Sequence, residues 1–262
     1  MPRRIIDLSV TLEDKPTSPA HHRPQIQYAD HDQSWELFSK LFPGIGPESL
    51  PDGKAWAVER ISLSTHAGTH MDAPWHYHPT TDHALQGGGR PAPGIDEVPL
   101  DWCLRPGVKL DFRHFEAGYV VTPQDIEAEL QRIGYELQPL DIVVANTRAG
   151  ARQGQEDYWE SACGFGRAAT LYLLERGVRV VGTDSYSWDA AFKFVVERFK
   201  RDGDPSIIWE GHKAGRDIGY YQMEKLSNLD QLPSHGFQLS CFPIKIKHGS
   251  AGWVRAVAIL ND

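Results

Sequence analysis

The sequence predicts an α/β protein because strand and helix signals alternate in the middle of the chain. Residues 141–146 and 178–182 are short apolar runs rich in valine and isoleucine, which is typical of buried strands. Between them a helix is expected from about Gly166 to Arg176, and Gly177 is the residue type that commonly ends a helix in a left-handed conformation. This order of elements indicates the α/β class.

The N-terminal part begins with a strand and continues into turn-rich sequence. Apolar residues alternate with others over residues 5–12, which predicts a strand. A turn is expected over residues 17–24, where prolines recur. Residues 28–57 carry aromatic and aliphatic side chains and then many glycines and prolines, so a short amphipathic helix followed by a long loop is predicted.

A second helix and a group of strands complete the expected elements. Thr122 is a natural N-cap residue, and the proline after it suits the first helical position, so this helix should run to about Gly134. Near the C-terminus, residues 237–242 and 253–260 are rich in β-formers, and residues 249–252 supply a turn between them. We expect two or three strands here.

Composition limits the organisation and the partners of the chain. Its 262 residues are 40% hydrophobic and 24% charged and contain no repeat or linker-like stretch, so one compact domain over residues 1–262 is the simplest interpretation. The 27 basic against 35 acidic residues give a net charge of −8 without a dense basic run, which argues against a nucleic-acid partner. No apolar stretch approaches the about 18 residues of a membrane span.

The first residues and the cysteines indicate the compartment. Two arginines precede a short apolar pair, but Asp7 interrupts the apolar region that a secretory signal requires, so a cytoplasmic protein is expected. Cys103, Cys163 and Cys241 are odd in number and far apart, which fits neither a disulfide framework nor a CxxC metal site. We expect three buried thiols.

Histidines are concentrated in one segment. Five of the twelve lie within residues 66–83. His66, His70 and Asp72 share parity, so an extended chain would place the two imidazoles and the carboxylate on one face. A fully extended chain would still separate the two histidine backbones by roughly 13 Å. Gly68 is therefore expected to bend the chain and bring the two side chains together.

These side chains are the donors of a metal site with catalytic potential. Two imidazoles and a carboxylate suit zinc or manganese, and three protein ligands leave a position open for water. The segment is not a helical HExxH site, so the general base must come from elsewhere. His76 is the best candidate, because Pro74 redirects the chain after Asp72 and turns the next imidazole back toward the ion.

The remaining histidines of this part of the chain have simpler interpretations. His78 and His83 are expected to be solvated loop residues. His21 and His22 are candidates for the mouth of a pocket, with an ordinary surface position as the alternative.

The histidine segment resembles a family signature. The run HAGTHMDAPWH, residues 66–76, is similar to the HxGTHxDxPxH motif of the metal-dependent cyclase family, which includes isatin hydrolases and bacterial kynurenine formamidases. Residues 5–9, 175–184, and 242–246 with 254–256 resemble the same family. The resemblance thus extends over nearly the whole chain.

The resemblance implies a fold, an assembly and a cofactor. The fold would be a swivelling β/β/α domain with a mixed central sheet or barrel, and the protein would be a homodimer or homotetramer. The centre would hold one or two divalent ions per subunit, Zn or Mn.

The resemblance also implies roles for individual residues. His66, His70 and Asp72 would hold the first ion, and His76 would act as base and then as acid. His212 and Glu224 match a downstream His and Glu twelve residues apart, and they would complete a second metal position with Asp72 as the bridge. Without the resemblance, both would be taken for surface residues.

Two further sets of residues are candidates for substrate contact. Asp184, Ser187 and Asp189 follow a buried strand, where ligand groups gather in α/β proteins, although capping of a helix is an equal alternative. Trp35 and Phe38, with Phe42, are candidates for a lid over the pocket formed by residues 28–57. The alternative is that these aromatic residues make core or dimer contacts.

The predicted function is hydrolysis of a small cyclic amide or lactone, as in isatin hydrolases. The first alternative is arylformamidase activity, against which two features speak. Residues 16–20 lack the tryptophan typical of the formamidases, and residues 28–57 are longer than expected for them. The second alternative is a metal-binding protein without catalysis, in which His76 would have no special role. No GxSxG nucleophile motif is present.

Overall fold

The computed structural model describes residues 3–15, 18–20 and 23–261. The chain divides into two compact units, each of which makes most of its contacts within itself. The main unit comprises Met1–Thr11 and Thr65–Asp262, and the N-terminal unit comprises Leu12–Ser64. The interpretation of residues 1–262 as one domain stays a prediction. His21 and His22, the candidates for a pocket mouth, lie outside the described residues.

The described residues form short strands and helices in alternation. The helices are α1 (Trp35–Leu41), α2 (Pro74–Tyr77), α3 (Pro123–Ile133), α4 (Arg167–Glu175), α5 (Phe192–Asp202) and α6 (Glu210–Asp217). The strands are β1 (Arg3–Asp7), β2 (Gln25–Ala29), β3 (Val58–Ser62), β4 (His70–Asp72), β5 (Thr80–Thr81), β6 (Arg90–Pro91), β7 (Leu104–Asp111), β8 (Val120–Val121), β9 (Ile142–Asn146), β10 (Gly164–Phe165), β11 (Val180–Thr183), β12 (Tyr221–Glu224), β13 (Phe237–Ser240), β14 (Ala251–Trp253) and β15 (Val257–Asn261).

Nine strands of the main unit form one mixed sheet in the order β1-β15-β13-β7-β9-β11-β12-β4-β14. The four strands from β7 to β12 in this order run parallel. Antiparallel strands extend the sheet on both sides, with β13, β15 and β1 beyond β7, and with β4 and β14 beyond β12. The α/β class with a mixed central sheet is therefore confirmed.

Both faces of the central strands are buried because side chains alternate between two cores. In β9, Ile142 and Val144 enter one core, whereas Val143 and Ala145 enter the other. The second core also contains apolar residues of α3 and α4, which cover that face. The first core joins Met71 of β4 with Leu239 of β13, although these strands lie far apart in the sheet order. The sheet must therefore curl around this core, as in a half-barrel.

The predicted helix ends match the structure. Thr122 caps α3 and forms a capping box with Asp125, and Gly134 follows in the left-handed region with φ of 66°. The predicted helix 166–176 is α4, with Gly166 as its N-cap and Gly177 at φ of 89° after it. The parallel strands β9 and β11 lie where the two apolar runs predicted them.

Strand boundaries differ from the prediction at both ends of the chain. Regular pairing of the first strand ends at Asp7, and only an isolated bridge at Ser9 continues it. The predicted strand 253–260 is two strands, β14 and β15, because each pairs with a different neighbour in the curled sheet. Residues 251 and 252, predicted as part of a turn, belong to β14.

The N-terminal unit contains the predicted short helix. Strands β2 and β3 form an antiparallel pair, and all residues of β3 are exposed. In α1, the ring of Phe38 lies 5.8 Å from that of Trp35, and Phe42 and Trp56 pack around Phe38 at 4.9 and 5.1 Å. The aromatic residues predicted as a lid thus form a cluster within this unit. Their role as a lid stays a prediction.

Two further expectations concern the cysteines and membrane-spanning segments. Cys103, Cys163 and Cys241 are buried thiols that form no disulfide, as predicted. Across the residues that the structure describes, no helix has both the length and the apolar content needed to cross a lipid bilayer.

Candidate metal centre

The centre is built on three adjacent strands of the main unit. Strand β4 lies between β12 and β14 and is antiparallel to both. In this register His70 is opposite Glu224, and Asp72 is opposite Gln222. Because side chains alternate along a strand, these four side chains share one face, while Met71 points into the apolar core. Strand pairing therefore brings two segments of the chain, about 150 residues apart, to one site.

Gly68 bends the chain before β4, as the sequence predicted. Its φ of 61° lies in the left-handed region that favours glycine. The bend brings the His66 ring to 5.2 Å from the His70 ring, measured between ring centroids. Nδ1 of His66 lies 2.8 Å from Oδ1 of Asp72. The two imidazoles and the carboxylate predicted to act together are thus in one cluster.

The rings of His66 and His70 are each oriented by a contact to the ring nitrogen that faces away from Asp72. His66 contacts Ser250 Oγ through Nε2 at 3.0 Å, which turns Nδ1 toward Asp72. His70 contacts the carbonyl of Gly68 through Nδ1 at 2.9 Å, which turns Nε2 inward. A second hydrogen bond of this kind fixes the tautomer and the ring orientation of metal-binding histidines.

His76 reaches the cluster from the one-turn helix α2. Pro74 occupies the first helical position, and the turn that it starts brings the His76 ring to 4.2 Å from the ring of His66. Trp209 packs edge-on against His76 at 5.1 Å. Nitrogens of His66 and His76 and an oxygen of Asp72 all lie within 4.8 Å of one another. His76 is therefore close enough either to bind an ion or to exchange protons with a group bound beside it.

Helix α6 supplies His212, which the resemblance pointed to. Nε2 of His212 lies 3.6 Å from Oε1 of Glu224 and 3.9 Å from Oδ2 of Asp72. Its Nδ1 bonds the carboxylate of Asp189. His212 and Glu224 are 2% and 6% exposed, so they are not the surface residues that their local sequence would suggest.

Asp189 caps a helix, as one of the two alternatives predicted, and its contact with substrate stays a prediction. Its carboxylate accepts the backbone N–H groups of Gly211 and His212 at 2.8 and 3.1 Å, and so caps the first turn of α6. The residue at the N-cap position, Trp209, makes no side-chain cap bond. The same carboxylate bonds the ring of His212, so one side chain both caps α6 and orients a candidate metal ligand.

The donor set fits a divalent cation. Nε2 of His70 and Oδ1 of Asp72 are buried 3.2 Å apart without a well-aligned hydrogen bond among the described residues, and Nδ1 of His66 lies 2.8 Å from the same oxygen. Leaving such groups unpaired costs free energy, and a cation between them would satisfy both. Atoms of His70, Asp72 and Glu224 lie within 4.8 Å of one another and form a second group around the shared Asp72. Imidazole and carboxylate donors of this kind suit Zn and Mn alike.

The charges of the cluster are arranged for cation binding. Burial by itself raises the pKa of Asp72, but the adjacent imidazoles, His70 first, bring it well below its ordinary value. Burial and the Asp72 charge raise the pKa of Glu224, yet the contact with His212 and the charges of His70 and Lys225 together bring it below its ordinary value. Burial opposes a charge on His212, but the bond to Asp189 raises its pKa to about 10. Both carboxylates are therefore ionised at neutral pH.

His76 differs from His212 in its protonation. Burial lowers its pKa to about 4, against the attraction of Asp72. His76 is thus neutral at pH 7 and has a nitrogen lone pair available. This is the protonation state that a general base requires.

The sequence analysis missed Gln222 and Ser250. Gln222 is fully buried, and its side-chain amide donates to Oε1 of Glu224 at 2.7 Å and lies 3.0 Å from Nε2 of His212. A sequence signal existed, because Gln222 is two residues before Glu224 and shares its face of β12. Ser250 had no such signal, since its contact with His66 depends on the pairing of β14 with β4.

The other predicted residues occupy different positions. Asp184 is buried at the end of β11, where it accepts bonds from the backbone and side chain of Thr147. Ser187 is half-buried, and its backbone N–H lies 3.4 Å from Ser185 Oγ, so its contact with substrate stays a prediction. His78 and His83 both bond Thr80.

A protein-family model matches most of the sequence. The model described as "Putative cyclase" matches residues 6–190. The chain belongs to this family. The matched residues include the histidine segment and Asp189, whereas His212 and Glu224 lie beyond the match.

Solved structures of cyclase-family proteins have the same fold. Isatin hydrolase A from Labrenzia aggregata, bound to benzyl benzoate, is 24% identical with a TM-score of 0.73, covering 99% of this chain and 94% of that one. An isatin hydrolase bound to the product analogue thioisatinate is 20% identical with a TM-score of 0.74, covering 99% and 93%. A potential metal-dependent hydrolase with cyclase activity is 17% identical with a TM-score of 0.62, covering all of both chains.

Proposed function

We propose that the protein is a metal-dependent hydrolase that opens a small cyclic amide or lactone. The observation that carries the proposal is the position of His76. A neutral imidazole lies against a buried cluster of imidazoles and ionised carboxylates. The fold shared with isatin hydrolases over nearly the whole chain supports ring opening as the reaction.

The residues divide into those that hold a cation and those that serve the reaction. His66, His70, Asp72, His212 and Glu224 would hold a divalent ion, Zn or Mn, in one or two positions that share Asp72. When bound, such an ion polarises a carbonyl group and makes a water molecule more acidic. His76 takes a proton from the attacking water and then gives it to the leaving nitrogen or oxygen.

The neighbours of His76 keep its ring in place for both proton transfers. The His66 ring lies on one side and the indole of Trp209 on another, at 4.2 and 5.1 Å. Trp209 also stacks on His212 at 4.5 Å, so one side chain contacts both the proposed base and a proposed ligand. The apolar packing that lowers the pKa of His76 also limits the access of bulk water.

The function is tested by proton release at constant pH with Zn or Mn added. The substrates are isatins, unsaturated lactones, cyclic imides and aryl formamides, each of which yields an acid. Release from a cyclic substrate that stops with a chelator supports the proposal. Release from aryl formamides alone would instead identify an arylformamidase. Silence from a protein shown to hold its metal would contradict the proposal and favour a metal-binding protein without catalysis.

The role of His76 is tested with a matched pair of variants. His76→Ala should keep its metal and lose turnover by about 10²-fold or more, because it removes the base without removing a predicted ligand. His78→Ala is the control, since His78 bonds Thr80 two residues farther along the chain. Equal turnover in the two variants would exclude His76 as the base.

Assembly, metal identity and location belong to the same proposal. We expect a homodimer or homotetramer located in the cytoplasm, as the family resemblance and the N-terminal sequence suggested. Light scattering coupled to size-exclusion chromatography measures the first of these. Metal analysis of protein purified without added ions distinguishes Zn from Mn.

A further inference from the structure

Lys225, next to Glu224, is a buried cation beside the candidate centre. The residue is 5% exposed and has a φ of 57°, in the left-handed region. Lysine is almost never fully buried unless its charge is paired. The charges that attract the ammonium are those of Glu224 and Asp72, and Nζ also lies 5.7 Å from the ring centroid of Tyr186.

Three hydrogen bonds tie Lys225 to the segments around it. Its Nζ donates to the carbonyl oxygen of His66 at 2.7 Å. Its own carbonyl oxygen accepts from Oγ1 of Thr69 at 2.7 Å. Its backbone N–H donates to the carbonyl of Ser185 at 2.8 Å. Lys225 is therefore hydrogen-bonded to both ends of the turn formed by residues 66–69, at His66 and at Thr69. This turn leads into β4.

Stability of the core does not account for a lysine at this position. Burying a charged group costs free energy, and replacing buried charges with apolar groups of similar shape is often neutral or stabilising. A methionine could follow the same path through the protein without that cost. What it could not supply is the hydrogen bond to the His66 carbonyl.

We propose that Lys225 is a positioning residue of the centre. By holding the backbone of His66, it sets the distance from the His66 imidazole to Asp72 and His76. This inference rests on the proposed function only in that the cluster binds a divalent cation.

The test compares Lys225→Met with Lys213→Met, using Mn²⁺ alone as the probe. Lys213 is exposed and follows His212, so it gives the same chemical change next to a proposed ligand without the bond to the turn. Electron paramagnetic resonance measures free Mn²⁺, and hence affinity, and the shape of the bound signal reports ligand geometry. We expect Lys225→Met to bind Mn²⁺ at least 10-fold more weakly with an altered bound signal. Lys213→Met should match the wild type.

A second variant tests the other end of the turn. Thr69→Val keeps the shape of the side chain but removes the bond to the carbonyl of Lys225, together with the bond that Oγ1 accepts from the backbone N–H of Val10 at 2.9 Å. We expect it to weaken Mn²⁺ binding as well, with the circular dichroism of the folded protein retained. If Lys225→Met does not fold, Lys225→Gln, whose side chain is shorter and uncharged, replaces it, and normal Mn²⁺ binding by Lys225→Gln overturns the proposal.

The outcomes separate this inference from the proposed function. Wild-type affinity and an unchanged bound signal in Lys225→Met would overturn the positioning role alone. If the wild type binds neither Mn²⁺ nor Zn²⁺, the proposed function fails, and the positioning role fails with it.

Discussion

Replacing Asp189 with asparagine should separate its two roles. Asparagine is as good a helix cap as aspartate, so its amide oxygen can still accept a backbone N–H at the start of α6. The negative charge that faces Nδ1 of His212 is lost, however, and one amide oxygen cannot serve the helix and the ring as two carboxylate oxygens do. We therefore expect a small effect on folding and a large effect on cation binding.

The structure sets the expected magnitudes. Removing a carboxylate that orients a metal-binding histidine typically lowers metal affinity 10–100-fold, which is about 1.4–2.7 kcal/mol. Asp189→Ala should show the same loss of affinity. It should also lose about 0.5–2 kcal/mol of unfolding free energy, because the capped N–H groups of α6 are left without a partner.

The measurements are titration calorimetry with Zn²⁺ or Mn²⁺ and urea unfolding in the presence of a chelator. Chelation is needed because bound metal adds its own stabilisation to the folded state. Wild-type cation affinity in Asp189→Asn, together with lower stability in Asp189→Ala, would show that the carboxylate is a helix cap only. The connection between α6 and the centre would then be refuted.

Three further predictions follow from particular contacts. Burial raises the pKa of Asp184 from 3.8 to about 7, so the folded state holds this proton more tightly than the unfolded chain, and stability should fall by up to about 4 kcal/mol as pH rises from 4 to 7. Urea unfolding across this range should show a flatter profile for Asp184→Asn. A Cβ at Gly164 would lie 1.8 Å from the backbone nitrogen of Ala190, so Gly164→Ala should cost about 1–3 kcal/mol and also weaken cation binding by moving the adjacent Asp189; calorimetry with and without metal measures both. If the aromatic cluster of α1 is a lid, Trp35→Ala and Phe38→Ala should raise KM with little loss of folding, and unchanged kinetics in both variants would exclude it.

Much of the centre is predictable from local sequence because His66 to His76 form one short segment of the chain. His66, His70 and Asp72 share parity, and a single glycine between them closes the gap that an extended chain would leave. The proline before His76 determines where the next turn begins. These are properties of short segments, for which side-chain periodicity and backbone preferences are reliable guides.

The helices were predictable for the same reason, whereas the strand ends were not. A capping box at Thr122 and a left-handed glycine at position 134 are local signals for both ends of α3. The division of residues 251–261 into β14 and β15 has no local signal, because it depends on which strand lies alongside each part. Strand identity in a curled sheet is set by pairing, and pairing is a property of the whole fold.

His212, Glu224 and Gln222 show which residues of the centre a family motif can predict and which depend on the fold. Family resemblance pointed to His212 and Glu224, but not to the residues that hold them in place. Gln222 faces the centre because β12 pairs with β4 in one register, and a shift by one residue would turn both Gln222 and Glu224 into the core. The register is fixed in part by Met71 and Met223, which lie opposite each other on the apolar side of the same two strands. Packing of the core therefore determines which polar groups meet at the centre, and a local motif cannot predict them.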